Sequence, residues 1–473
     1  MTQLRLTTAA CAAFFLAACA SPRPPDTVAS PAPPQWYAPL PHNGTRAELA
    51  RWWQQFNDPL LVALIDAAQS ASPTIASARA RIEQARANRA AARAALLPNL
   101  DGFASATRGN TQPPAPLATT AQAGLQTAWE IDLFGANRAG ADAAQARLEG
   151  AQAGWHAARV SVAAETANSY ISLRTCEQQV VVATNDAKSR SETARLADLS
   201  TQAGFTAPAN AALARASAAE ASARATQQRA QCDTEVKALV ALTALAEPDL
   251  RQKLAAVPAP SAQDAMLSIA SVPAEVLAQR PDVLEAERDV AAASADVGAA
   301  RADRFPRLTL SGSIAAGRVR SGGVNTDLDT WSIGPLALTV PIFDGGRRAA
   351  NVDAAQARYE EAAALYQARV RQAVREVEEA LVAIDSARAR NEDAKVATEG
   401  YRVSFTATEA RYRSGLASLV ELEDARRTAL AAETALVALQ RERIAAWIAL
   451  YRAAGGGWTR SEAVATTSPL ARP

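Results

Sequence analysis

A six-residue run, Asp142-Ala143-Ala144-Gln145-Ala146-Arg147, recurs unchanged as Asp353-Ala354-Ala355-Gln356-Ala357-Arg358, 211 positions later. The same offset relates Gly204 to Gly415 and Arg215 to Arg426. An offset of 208 relates Ser72-Pro73 to Arg280-Pro281 and Leu97-Pro98 to Phe305-Pro306. Six matching residues arise easily in alanine-rich sequence; proline and glycine punctuation in the same order does not. The chain is one architecture written twice. In the first copy Ser72 and Pro73 open a helix that runs to Leu97, ahead of Pro98. An unbroken helical pattern then covers about Asn137 to Thr201, turns at Gly204 and resumes from about Pro208 to Leu245. The second copy predicts helices at about 281–304, 345–413 and 418–454.

Lengths restrict the fold further. At about 1.5 Å per residue, the helix at 137–201 is roughly 98 Å long, and the two shorter helices of its copy sum to roughly 95 Å. Two short helices stacked end to end therefore match one long helix, and neither fits inside a globular domain. Leu148, Trp155 and Val162 fall seven apart with Ala151 and Ala158 between them, as do Leu430, Val437, Ile444 and Tyr451. Such seams need partners, and the alanines on them allow close helix approach. The expected fold is mainly α, with duplicated long-helix hairpins. Folding back at Gly204 sets Cys176 and Cys232, each 28 residues from the turn, at one height. The spacing predicts a disulfide that staples the hairpin.

Between Pro306 and Gly345 the period changes to two. Leu308, Leu310 and Ile314 alternate with Thr309, Ser311 and Ser313; beyond a loop expected at Gly322–Asp329, Leu336, Leu338 and Val340 alternate with Ala337 and Thr339. Strands are predicted at about 308–317 and 331–342, and in the first copy at about 100–108 and 122–131, where Leu125, Thr127, Trp129 and Ile131 share a face. Strands of about ten residues cross a bilayer when tilted. Four cannot close a barrel, and an open edge in lipid is costly. The chain must oligomerise to insert, two copies supplying eight strands and three supplying twelve.

Arg5 precedes an apolar run, Leu6–Ala18, too short to span a bilayer and laid out as a signal peptide over 1–18. Its end, Leu16-Ala17-Ala18-Cys19, resembles the lipobox of bacterial lipoproteins, which implies lipid attachment at Cys19; Ala20 in place of Asp implies sorting to the outer membrane. Eight prolines between residues 21 and 41 make 19–41 an extended tether. The remaining divisions are a first repeat over 42–245, an inter-repeat segment over 246–280, a second repeat over 281–454 and a tail over 455–473.

Several longer stretches resemble the NodT branch of the TolC superfamily, the outer-membrane factors of tripartite efflux pumps. They are Trp129-Glu130-Ile131-Asp132-Leu133-Phe134-Gly135, Pro273-Ala274-Glu275-Val276-Leu277-Ala278-Gln279-Arg280-Pro281-Asp282-Val283, and Arg301-Ala302-Asp303-Arg304-Phe305-Pro306. Pro341-Ile342-Phe343-Asp344-Gly345-Gly346, Tyr412-Arg413-Ser414-Gly415 and Gly455-Gly456-Gly457-Trp458 are similar to that branch too. The likeness covers the chain from Trp52 onward. It implies a homotrimer whose twelve strands form one barrel in the outer membrane above a twelve-helix periplasmic tube. It further implies a periplasmic adaptor protein and an inner-membrane transporter of the RND type as partners. Small molecules would be conducted passively; a conduit for protein secretion and a non-conducting coiled-coil lipoprotein are the alternatives.

The tips at Gly204 and Gly415 are where closure and adaptor docking should concentrate. In the family an Asp shortly after the turn glycine helps to form a constricting ring. The matching position is Asp424, with Glu421 and Glu423 nearby, while Ala417 stands where some relatives carry a second acid. Arg411 and Tyr412 are candidate tethers of the closed state. No enzyme competes with this reading. Two distant histidines, His42 and His156, argue against a metal site or catalytic triad, no phosphate loop is present, and no cofactor is expected. A net charge of +1 gives no electrostatic case for nucleic acid.

Overall fold

The computed structural model describes residues 22–38, 49–110, 117–257, 277 and 280–458. Cys19, the expected signal segment 1–18, most of the inter-repeat segment and the tail beyond Trp458 lie outside the described residues. The chain divides into two compact units, and each draws on both sequence copies. The first gathers Arg79–Ala153 and Leu284–Ala368 with the N-terminal segment to Ser30; the second gathers Pro31–Ala78, Gly154–Val283 and Arg369–Pro473.

In the first unit, helix α2 (Pro73–Ala94, shared with the second unit) leads into β1 (Asn99–Gly109) and β2 (Ala118–Ile131), and α6 (Pro281–Ala302) leads into β3 (Arg307–Ser321) and β4 (Val324–Thr339). The four strands form one antiparallel sheet in the order β1-β2-β3-β4, which leaves β1 and β4 each paired on one side only. The loop expected at Gly322–Asp329 is corrected here. Gly322 and Gly323 take φ values of +57° and +87° and make the whole turn, so β4 begins at Val324. Two left-handed residues suit a tight hairpin, and the polar residues Asn325, Asp327 and Asp329 are strand, not loop. The strand expected at 331–342 therefore spans Val324–Thr339, and the one expected at 122–131 begins at Ala118.

Side chains alternate across the sheet. The register places Leu125, Trp129, Leu310, Ile314, Trp331 and Leu336 on one face. Gln126, Glu130, Thr309, Ser311, Ser313 and Ser332 occupy the other. The apolar face is open: Trp331 is 76% exposed and Ile314 61%. Gly124 and Gly317 bring β2 and β3 together so closely that a Cβ at either position would overlap backbone of the opposite strand. Below the sheet, Phe134 stacks on Phe305 at 4.9 Å, and Arg147 pairs with Asp296. The proline-rich N-terminal segment is laid on this unit. Arg301 and Ser294 donate to the carbonyls of Pro22 and Pro24, and Arg23 pairs with Asp142.

The second unit contains the greater part of the two long helices, α3 (Ala136–Gln202) and α7 (Arg347–Arg413), each of 67 residues and thus about 100 Å long. They fold back into α4 (Pro208–Thr243) and α8 (Leu419–Ala453). Two short helices were not expected: α1 (Pro59–Ala71) and α5 (Glu247–Ala256). Asp58 caps α1 by accepting from the amides of Leu60 and Leu61, and the Tyr170 hydroxyl donates to its other oxygen at 2.6 Å. Leu61, Leu64, Tyr170, Leu239, Leu381 and Ile448 form the heart of the core. Trp52 stacks on Tyr451 at 4.8 Å beside it.

Buried Arg280 forms a second framework contact in this unit. It holds both carboxylate oxygens of Asp282, reaches Glu376 at 2.8 Å and donates to the carbonyl of Ala453 at the end of α8. Burial alone would raise both acids, but the guanidinium outweighs it for Asp282, as Gln372 and Arg280 together do for Glu376, holding both carboxyls below their ordinary range.

His156 is the opposite case. It lies against Trp155 and Trp458 with ring centroids 4.8 and 5.8 Å away, and burial with nearby Arg159 lowers it from 6.5 to about 4. Above pH 6.5 both folded and unfolded chains hold a neutral imidazole. As pH falls from 6.5 to about 4 the unfolded chain takes up the proton first, so stability declines across that window. Thermal unfolding followed by circular dichroism should show that decline, and His156→Phe should flatten it. An unchanged slope in the variant would remove His156 from the account.

Candidate functional site at the hairpin tips

The two turns share a backbone solution. Gly204 and Gly415 have φ of +78° and +73°, and the next residue's amide returns to the carbonyl five positions back, Phe205 to Ser200 and Leu416 to Arg411. Only a residue free of Cβ strain takes this conformation readily. The restarts differ. Pro208 begins α4 with no side-chain cap at Ala207. Ser418 and Glu421 make a reciprocal capping box at the start of α8. Phe205 and Leu416 occupy matching places in the two copies and are 86% and 70% exposed.

The sequence-predicted residues at these tips are not gathered into one cluster. Glu421 is engaged by the amide of Ser418. Arg411 donates to the carbonyl of Leu416 and closes the turn. Asp424 is exposed and pairs with Arg427, one helical turn on. Tyr412 is half-buried against Ala194, Ala197, Ala211 and Leu419, and burial, with Glu423 nearby, raises its hydroxyl above the ordinary range.

The clustered charges lie slightly further from the turn, on Asp186, Arg190, Glu423 and Arg426. Buried Arg190 holds both oxygens of Asp186 at 2.9 and 3.0 Å, the Ser217 hydroxyl at 2.6 Å and Glu423. Arg426 reaches the other oxygen of Glu423, the hydroxyls of Thr193 and Ser189, and the face of Phe405. Burial lowers the Arg426 guanidinium from its ordinary value, Glu423 opposing the shift. Two cations and two anions thus join α3 and α4 of one copy to α8 of the other. Glu423 is the atom pair through which both arginines connect.

This cluster was only partly legible. Glu423 stood out as an acid near the turn, but two of its partners, Arg190 and Ser217, lie more than 200 residues away. A usable signal was the failure of the repeat. At the 211 offset Asp186, Arg190 and Glu423 correspond to Ala397, Tyr401 and Ala212, so charge is present in one copy alone. Arg426 does have a counterpart, Arg215, whose side chain is 64% exposed against 3% for Arg426.

Cys176 and Cys232, further along the first hairpin, are bonded, with Cα atoms 5.6 Å apart. Among the described residues no group of His, Cys, Asp and Glu could hold a metal ion.

An open-edged sheet with an apolar outer face, in a chain that also carries two hairpins of very long helices, defines a subunit of a transmembrane export channel. The chain belongs to the outer membrane efflux protein family, whose model matches residues 64–245 and 272–456. It is 30% identical to the outer membrane protein OprJ of Pseudomonas aeruginosa over 457 residues, 94% of each chain. It is also 30% identical to nodulation protein T of Rhizobium leguminosarum bv. trifolii over 418 residues, 86% of this chain and 88% of that one. The fold matches the outer-membrane channel OprN with a TM-score of 0.83 at 29% identity, covering 93% of this chain and 99% of that one. It matches the Campylobacter jejuni channel CmeC at 0.79 and 26% identity, covering 90% and 92%. The protein is an outer-membrane channel of a tripartite efflux system, in a family of passive conduits.

Proposed function

We propose that three copies assemble into one channel, with twelve strands closing a barrel and the helices forming a tube that closes at the hairpin tips. The observation that carries this reading is the sheet, apolar on one face and unpaired along β1 and β4. Lipid tolerates neither unpaired edge, and joining β1 of one copy to β4 of the next satisfies both. Three copies, not two, follow from the family resemblance. Lipid attachment at Cys19 would anchor the assembly at the membrane, and the disulfide would hold the first hairpin in register.

The tips carry the regulated end. Asp424 supplies an exposed acid to a ring at the constriction, Arg411 and Tyr412 fix the second turn, and Glu423 locks the hairpins together in the closed state. Phe205 and Leu416 offer apolar contacts to a periplasmic adaptor, which links the channel to an RND-type inner-membrane transporter. The relatives named for pyoverdine export and for toluene and solvent efflux show how widely cargo varies within the family. Cargo choice is assigned to the inner-membrane partner. The assembly is tested by electrophoresis of the detergent-extracted mature protein: an unheated sample should migrate as a trimer and a boiled one as a monomer. A dimer, or a monomer under both conditions, overturns the proposal.

A further inference from the structure

We propose that four arginines at the helix-bearing end of the sheet form a belt that binds the phosphate head groups of anionic phospholipids. The inference rests on the reading of the sheet as part of a membrane barrel.

The strand register brings Asn99, Ile131, Arg307 and Thr339 to one end of the sheet, so all four helix–strand junctions of the first unit gather there. Each junction carries an exposed arginine not engaged by a neighbouring acid: Arg93 before β1, Arg138 after β2, Arg304 before β3 and Arg347 after β4. Among the described residues none of the four side chains has a hydrogen-bond or ion-pair partner, whereas Arg307 and Arg348 close by are held by Asp303 and Asp344. Of the other acids at this end, Asp132 accepts from the amides of Asn137 and Arg138 and Asp101 from the side chain of Asn99, while Glu130 lies one residue from the end of β2. None of these carboxylates is paired with the four arginines.

Each junction also carries an exposed apolar side chain within a few residues of its arginine. Leu97, Leu133 and Phe305 are followed by Phe343, which is 92% exposed. One apolar group beside one guanidinium, four times over, suits the boundary between acyl chains and head groups. A guanidinium presents parallel N–H donors that match two phosphate oxygens, and an ammonium does not; lysine is absent from this part of the chain. In the proposed trimer the belt presents three copies of the set to the periplasmic-side leaflet.

Insertion of the purified full chain into vesicles tests the belt. Vesicles of phosphatidylcholine alone are compared with vesicles containing phosphatidylglycerol, at equal ionic strength. Wild-type insertion should favour phosphatidylglycerol by at least about fivefold, the effect expected from a single arginine at an anionic surface. The combined variant Arg93→Gln, Arg138→Gln, Arg304→Gln and Arg347→Gln should still insert into phosphatidylcholine but lose the preference. The double variant Arg108→Gln and Arg320→Gln, at the opposite end of the sheet, should keep it. A quadruple variant with the full wild-type preference overturns the belt, as does loss of the preference in the double variant. Abolition of the preference by free inorganic phosphate assigns the arginines to a soluble anion and overturns the lipid assignment. Failure of the wild-type protein to insert into any vesicle overturns the barrel reading itself, and the belt with it. A quadruple variant that cannot insert into phosphatidylcholine is replaced by the four single variants. Each should lose part of the preference, and full retention in all four overturns the belt.

Discussion

Replacing Arg280 with alanine should destabilise the folded chain by about 3–5 kcal/mol, the cost typical of removing one member of a buried ion pair. Arg280 has three roles at once. It neutralises Asp282 and Glu376 and donates to the carbonyl of Ala453, the last residue of α8. Truncation leaves two partly buried carboxylates without their shared guanidinium, only the more distant Arg369 and Arg452 remaining to offset them, and both should then titrate upward. The loss should therefore be largest near neutral pH and smaller in acid, where protonation relieves the repulsion. The sign agrees with the wild type, in which depressed Asp282 and Glu376 contribute stability above their unfolded values that is lost as pH falls through the folded ones. Arg280→Met combined with Asp282→Leu and Glu376→Leu should recover much of the deficit, because an apolar set of similar volume leaves no buried charge unmatched. Chemical unfolding of the three proteins followed by circular dichroism gives the comparison. Equal stability of wild type and Arg280→Ala would show that Arg280 is not a framework residue.

Glu423→Ala should open the channel. Glu423 is the shared acceptor of Arg190 and Arg426, and without it two guanidinium groups are left in one half-buried site with Asp186 the remaining carboxylate paired there and Glu409 nearby. Their repulsion and the lost hydrogen bonds act on the contact between the first hairpin and α8, worth about 3 kcal/mol or more by the same reasoning. A closed-to-open equilibrium shifted by that amount changes by roughly a hundredfold. Glu423→Gln keeps one acceptor oxygen and should give a smaller increase in conductance. Asp424→Ala, by contrast, removes an exposed acid whose single partner lies on its own helix. It should alter ion selectivity at the constriction more than the fraction of time the channel is open.

The long helices and the hairpin turns were readable because proline and glycine mark their ends in both copies and their length excludes a globular setting. Helix α1 was not. Its opening, Pro-Leu-Leu-Val-Ala-Leu-Ile-Asp, is a short, nearly unbroken apolar run that hides the period, although in the fold Leu60, Leu61, Leu64, Ile65 and Ala68 are buried on one face. The β3–β4 hairpin was misjudged because its Asn and Asp residues signal a loop in water. They lie beyond the apolar band, in the polar end of a strand, where Arg318 pairs with Asp327. Single acids near the turn could be named from the family pattern, yet Arg190 and Asp186 carry no local mark of their role. They became identifiable only when α8 was seen to bring Glu423 against α3, a contact across 233 residues.

The central claim is that this chain conducts, and does so only as an assembly. Single-channel recording of the purified protein in a planar bilayer tests it most directly. The account predicts discrete current steps that appear with the trimer fraction alone, are small in the wild type and grow in Glu423→Ala. A trimer that inserts but passes no current in either form, or steps given by the monomer fraction, would contradict it.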